Sequence, residues 1–323
     1  MPLQYEPEFL AALQPLLPSL ANRPQLALHD VNARREVAAV TMSAMFARLP
    51  DVPDVERTEY QVEAPDGHKL SVYGFAKTGT SDPSSPTPAM LHCHGGGMIL
   101  GSVEMFQRGL RLQVSQTSIP IFSVEYRLAP ECKDDSLVQD CYAGLVWLSQ
   151  NAKKFNIDPA RIAVFGESAG GGIAAGVALM ARDKNLQPPL AKQILIYPML
   201  DDRNLTINEA IDPLAFWTNT DNITGWTALL GDKAGKPDAD VSPYAAPARA
   251  KSVAGLPPTY IDVGELDLFR DEDMEFAMRI AKENISTEFH LYPGVPHAFE
   301  PMAFDASVTK RALENRVKAM LSF

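Results

Sequence analysis

The chain has 323 residues, with 29 lysines and arginines against 40 aspartates and glutamates, for a formal net charge of −11. That length suits a single α/β unit whose core is large enough to need neither disulfides nor a structural metal. The acidic balance repels phosphate backbones and anionic lipid heads, which argues against nucleic-acid and membrane partners. Cys93, Cys132 and Cys141 are too few and too odd a set for a disulfide framework, and no histidine stands at metal-ligand spacing from them. No apolar run approaches the roughly 20 residues of a membrane span. The first residues, MPLQYEPEFL, lack a basic and then apolar leader, so a cytoplasmic location is expected. The sequons at Asn204, Asn222 and Asn284 then read as chance matches.

In chain order, residues 1–50 read as helical, interrupted by Pro15, Pro18 and Pro24; Val37, Val40, Met45 and Phe46 recur at helical spacing. Thr58 to Val62 and Leu70 to Phe75 read as strands around an Asp66-Gly67 turn. A Ser/Pro/Thr loop covers 81–88. A β-then-α rhythm follows. Met90 to Cys93 is a strand, then a Gly-rich turn and a helix through Arg111. Ile119 to Val124 is a strand, then a helix from about Asp134 to Asn151. Arg161 to Phe165 is a strand, then a helix from Ser168 to Asp183. Gln193 to Tyr197 and Thr259 to Val263 are strands, the second followed by a helix from Asp271 to Glu283. Thr287 to Tyr292 is the last strand, and 304–321 the last helix. Apolar strands alternating with helices predict an α/β fold with a mostly parallel sheet covered on both faces, its active site at the carboxyl ends of the strands.

Residues 201–250 break the rhythm. The segment is rich in Pro, Asn and Asp, yet carries Phe216, Trp217, Trp226, Leu229 and Leu230. Loops this long in a compact domain usually serve function. The expectation is a lid built with residues 1–50. Phe216, Trp217, Trp226 and Leu229 would line its substrate pocket. The catalytic domain would then comprise 51–200 and 251–323.

Gly166-Glu167-Ser168-Ala169-Gly170 is a G-x-S-x-G sequence between a strand and a helix of small residues. That setting is what a nucleophile elbow requires, so Ser168 is the candidate nucleophile. His94-Gly95-Gly96-Gly97 follows the strand MLHC, and bare glycine backbone there lets N–H groups reach a substrate oxygen. The proposed oxyanion donors are the amides of Gly96, Gly97 and Ala169, with His94 ordering the loop. A phosphate loop fails, for want of G-K-[ST] or G-x-G-x-x-G. Among the histidines, His29, His68, His92 and His290 sit where structural histidines are common. His297 lies on the loop after the last strand and is the candidate base. For the acid, the loop after TYIDV offers Glu265 and Asp267, and either fits the order Ser…Asp/Glu…His. Glu167 reads as a hydrogen-bonded support of the elbow, since a base must reach the serine proton.

HGGG, YRLAPE at 126–131, GESAGG at 166–171, GELDLFRDED and GVPHAF together resemble the hormone-sensitive-lipase-like esterases, over about residues 60 to 300. The resemblance implies an α/β-hydrolase fold with an eight-stranded, mostly parallel sheet and a helical cap. It implies no cofactor, and Asp267 rather than Glu265 as the acid. It also implies that the cap comes from the N-terminus and the insertion after the sixth strand. The function it implies is a serine carboxylesterase acting on small-molecule esters through an acyl-enzyme. A dedicated deacetylase, lactonase or amidase would share the constellation. Ligand receptors on this scaffold lack the triad histidine, which His297 argues against. Short to medium acyl chains are expected, because nothing reads as a lipid-binding surface. A homodimer through the last strand is expected, because that strand lies at a sheet edge.

Overall fold

In the computed structural model, which describes residues 2–17, 25–79 and 84–323, the apolar runs pair into one eight-stranded sheet. Its strands are β1 (Val55–Glu63), β2 (Lys69–Lys77), β3 (Thr87–Cys93), β4 (Ile121–Glu125), β5 (Ile157–Glu167), β6 (Lys192–Ile196), β7 (Thr259–Gly264) and β8 (Thr287–Tyr292), in the spatial order β1-β2-β4-β3-β5-β6-β7-β8. β1 and β2 are joined by a tight turn and lie antiparallel, and β2 pairs antiparallel with β4. Gly67 closes that turn at φ 85°, a left-handed conformation that glycine adopts without a Cβ clash. From β4 through β8 every pairing is parallel. Every residue of β6 and β7 is buried, as in a sheet covered on both faces. β1 and β8 form the two edges.

The helices are α1 (Pro7–Leu13), α2 (Val31–Phe46), α3 (Val103–Thr117), α4 (Ser136–Asn151), α5 (Ala169–Asp183), α6 (Asn219–Leu230), α7 (Arg270–Lys282) and α8 (Ser307–Met320). α5 is a stripe of Gly and Ala that runs through the core with every residue from Ala169 to Ala181 buried. Those small residues let the helix approach the sheet closely. A Cβ on Gly170 would stand 2.0 Å from the Cys93 carbonyl oxygen, and one on Gly172 would stand 2.0 Å from that of Met199.

Several boundaries differ from expectation, each for a local reason. α3 continues past Arg111 because Leu110 and Val114 keep its buried face going, and it ends where Ser118 turns left-handed at φ 58°. α4 begins at Ser136 because Asp134 has φ 54° and cannot be helical. α8 begins at Ser307, not 304. β1 and β2 extend into polar residues because their ladder runs from Val55↔Lys77 to Glu63↔Lys69. The expected loop over 81–88 ends early: Thr87 already pairs with Ile157. Residues 81–83 of that loop, with Pro18 and Pro24 of the N-terminal region, lie outside the described residues. Two of the three sequons are packing residues. Asn222 is buried and donates to the Asn204 carbonyl, while the Asn204 side chain donates to Leu268 O and Glu272.

The N-terminal helices and the 201–250 segment touch each other directly. The Arg34 guanidinium of α2 donates to Asp221 of α6 at 2.9 Å, and the His29 amide donates to Thr224 Oγ1 at 3.1 Å. Tyr5 and Phe9 pack on Phe216 with ring centroids 6.4 and 6.3 Å away. α6 starts on a capping box between Thr218 and Asp221.

Candidate active site

Between β5 and α5 the chain turns so sharply that Ser168 is held at φ 58°, ψ −124°. Such strain persists only where neighbours fix it. The Ser168 amide donates to Ile196 O at 2.8 Å and the Met199 amide donates to Ser168 O at 3.0 Å. No Cβ fits at the flanks: on Gly166 it would stand 2.3 Å from Gly170 O. The turn thus projects the serine hydroxyl above the sheet.

The loops after β7 and β8 are stitched to each other. Leu266 donates to Val295 O at 3.0 Å and Glu265 to Tyr292 O at 2.8 Å through their amides. The Glu265 carboxylate is used up here, accepting from the Gly294 amide at 2.9 Å. Asp267, fully buried, points instead at the histidine. His297 Nδ1 lies 2.7 Å from Asp267 Oδ2, and His297 Nε2 lies 2.8 Å from Ser168 Oγ. Asp267 Oδ1 also accepts from the Phe269 amide at 3.0 Å. Tyr197 and Phe269 set their ring edges and faces against the imidazole, with centroids 4.7 and 5.1 Å away. Ser168 and His297 are 7% and 6% exposed, so water has little access to the pair. A hydroxyl, an imidazole and a carboxylate in this chain of contacts can move a proton from serine to histidine while the carboxylate balances the imidazolium.

Gly95, Gly96 and Gly97 pass beside the serine. A Cβ on Gly95 would be 3.4 Å from Ser168 Cβ. Gly96, Gly97 and Met98 all have positive φ, at 130°, 58° and 67°. Among the described residues the amides of Gly96, Gly97 and Ala169 donate to no protein acceptor. Three unused donors near Ser168 suit an oxygen that gains negative charge. His94 braces this turn: its Nδ1 lies 2.9 Å from Gly95 O and its ring stacks on Tyr126 at 4.2 Å. Burial pushes the His94 pKa down to about 3, so it stays neutral and cannot compete with His297 as a charged group. Glu167 lies 2.9 Å from His92 Nε2, with the other ring nitrogen 2.7 Å from Ser123 Oγ. It supports the elbow from the side and, among the described residues, its carboxylate bonds to His92 and not to Ser168.

The aromatic residues of the 201–250 segment divide. Trp217 lies over the glycine turn, so close that a Cβ on Gly97 would stand 2.2 Å from its Cη2. Phe216 packs with α1 and the Phe299 region. Trp226 and Leu229 differ from expectation. They are 0% and 2% exposed and belong to the main core, because α6 turns that face inward. A cavity of about 470 Å³ opens beside the acid loop, walled by Asp201, Arg203, Ile211, Leu268, Glu272 and neighbours.

The sequence offered no motif for the buried charge cluster that backs Tyr197, the ring packed on His297. Arg316 of α8 donates to both oxygens of Asp262 at 2.7 and 2.9 Å and pairs with Glu300, and the Tyr197 hydroxyl donates to Glu300 at 3.4 Å. Asp262 inside an apolar strand was the available signal, since a buried carboxylate demands a partner. The YRLAPE segment is explained by its contacts. Tyr126 donates to His94 O at 2.6 Å, Arg127 bridges Asp140 and Asp66, and Glu131 receives Arg35. Among the described residues no group of three His, Cys, Asp or Glu side chains could hold a metal ion.

The sequence profile of the alpha/beta hydrolase fold matches residues 90–301. The chain is 32% identical to the esterase LipI of Mycobacterium tuberculosis, over 78% of this chain and 77% of that protein. It is 31% identical to an arylesterase of Saccharolobus solfataricus, over 65% and 67%. The structure of a bacterial heroin esterase superimposes with a TM-score of 0.86 at 35% identity, over 98% of this chain and 97% of that one.

Proposed function

The chain belongs to the alpha/beta hydrolase fold family, in its hormone-sensitive-lipase-like branch, and is a carboxylesterase; on that premise we propose that Ser168, His297 and Asp267 carry the reaction. The observation that supports this most is the unbroken contact chain from Ser168 Oγ through His297 to Asp267, at 2.8 and 2.7 Å. Ser168 attacks the ester carbonyl as His297 takes its proton. The amides of Gly96, Gly97 and Ala169 receive the carbonyl oxygen as it becomes an oxyanion. His297 then protonates the leaving alcohol, and water clears the acyl-enzyme by the same steps in reverse. Asp267 keeps the imidazole tautomer that presents Nε2 to the serine.

The cap is proposed to comprise residues 1–50 and 201–250, over a catalytic unit of 51–200 and 251–323. Substrate enters beneath Trp217, with Phe216 at the α1 side, and this confined space favours acetyl to roughly hexanoyl esters. A cytoplasmic location fits three free cysteines, and among the described residues no helix is long and apolar enough to cross a membrane. A two-fold dimer through the unpaired edge of β8 completes the proposal.

The test is hydrolysis of p-nitrophenyl esters of increasing length by wild type and Ser168→Ala. The variant is expected to fold and to lose turnover by about three orders of magnitude or more, with wild-type kcat/KM falling beyond about eight carbons. A variant that keeps a tenth of wild-type turnover removes Ser168 from the mechanism. A maximum at long chains overturns the confined pocket.

A further inference from the structure

The glycine turn that offers the oxyanion amides is held from outside the catalytic sheet. Gly96, Gly97 and Met98 are all left-handed, and Met98 carries a Cβ that disfavours that conformation. Such a run keeps its shape only if its surroundings fix it. One arginine of the N-terminal region makes the outer half of that fixture. Arg35 of α2 donates from Nε to Ile99 O at 2.7 Å and from Nη2 to Ala129 O at 2.9 Å. The Ala129 amide in turn donates to Met98 O at 2.9 Å. The same guanidinium grips both oxygens of Glu131 at 2.7 Å each, which holds its own plane in position. Arg35 pulls the Glu131 pKa down to about 2, so the pair stays ionised at any assay pH.

The neighbouring residue faces the 201–250 part of the cap. Successive side chains point about 100° apart around a helix. Arg34 accordingly turns from the oxyanion turn to α6, where it meets Asp221 at 2.9 Å while itself 3% exposed. α6 also touches the turn directly, since a Cβ on Gly225 would stand 2.7 Å from Gly97 O.

We propose that α2 is a strut within the cap that couples the position of α6 to the oxyanion hole, with Arg35 as the positioning residue for the Gly96–Ile99 turn and Arg34 as its tie to α6. The proposal rests on reading Gly96, Gly97 and Ala169 as the oxyanion donors. Only a planar fork serves two carbonyls and a carboxylate at once, so lysine replaces Arg35 poorly. A shift of α6 moves α2 through Arg34, and α2 moves the amides through Arg35.

The experiment measures kcat per active site, counted by stoichiometric phosphonate titration, and KM for p-nitrophenyl acetate, in Arg35→Met, Arg35→Lys, Glu131→Gln, Arg34→Met and the Arg34→Met/Arg35→Met pair. Arg35→Met is expected to lower kcat per titrated site about 10- to 100-fold with KM within about threefold and an unchanged pH profile, because donors are displaced and no titrating group is lost. Arg35→Lys is expected to recover part of the loss, and the double variant to lose less than the product of the singles. If Arg35→Met does not fold, Arg35→Lys and Glu131→Gln carry the measurement. Unchanged kcat per titrated site, even with a lowered Tm, makes Arg35 purely structural and overturns the proposal. Multiplicative losses from Arg34 and Arg35 overturn the coupling. A wild-type protein that hydrolyses no ester overturns the reading of the site instead.

Discussion

Replacing Gly97 by alanine tests whether Trp217 and the oxyanion turn share one space. The added Cβ would stand 2.2 Å from Trp217 Cη2 and 2.5 Å from Cζ2. Carbon atoms settle at about 3.5–4 Å, so ring or turn must retreat by more than about 1 Å. Gly97 has φ 58°, which alanine tolerates at a cost of about 1 kcal/mol. Overpacking adds about 1–3 kcal/mol. Part of that strain relaxes by moving the Gly97 amide, and a whole oxyanion donor is worth about 3–4 kcal/mol of barrier. The expected result for Gly97→Ala is a kcat about 10- to 100-fold lower on p-nitrophenyl acetate, from losing part of one donor. Adding Trp217→Ala should restore most of it. Gly96→Ala gives the contrast. Its Cβ would meet Leu100 O at 2.0 Å, a backbone atom that cannot swing away, so Trp217→Ala should not rescue it. Wild-type kcat in Gly97→Ala, or a Gly97→Ala loss that Trp217→Ala leaves untouched, refutes the reasoning.

Asp267→Asn should cost on the order of 10⁴ in rate at neutral pH, and Glu265→Gln far less, because Glu265 serves the Gly294 amide; the reverse ranking in kcat moves the acid. Asp273 is buried, neither of its oxygens meets a hydrogen-bond partner among the described residues, and burial, helped by Glu272, Asp267 and Asp262, pushes its pKa well above 3.8. The folded protein therefore keeps a proton there that the unfolded chain releases, and the part of the stability that depends on Asp273 falls as pH rises from about 3.8 through its raised folded pKa. Asp273→Asn should raise Tm at pH 8 by more than at pH 4, and an equal shift at both counts against it. Light scattering at micromolar concentration should give a dimer, since β8 is an unpaired edge with Leu291 40% exposed; a monomer refutes that surface.

The candidate site was legible in the sequence because each proposed catalytic group is tied to a local backbone device. Ser168 needs a strand-turn-helix with small neighbours, the oxyanion turn needs consecutive glycines, and His297 needs the loop after the last strand. These are short-range demands, so they leave short-range patterns, and periodicity of the apolar runs is equally local. The choice between Glu265 and Asp267 was not local. Two residues apart on one loop, they are separated by which of them the Gly294 amide occupies, a contact 29 residues away along the chain. The same holds for Trp226, whose aromatic ring suited a pocket wall and is instead sealed in the core by the way α6 packs.

What the sequence determined by itself is therefore the order of strands and helices and the set of candidate reactive side chains, since both follow from hydrogen bonding and sterics within a few residues. What only the tertiary structure decided is how groups far apart in the chain share work. Arg316 meets Asp262 across 54 residues and Arg35 meets Ile99 across 64. A guanidinium carries no trace in its neighbours of the acceptor it will find, because that partner is chosen by packing, and packing is a property of the whole fold.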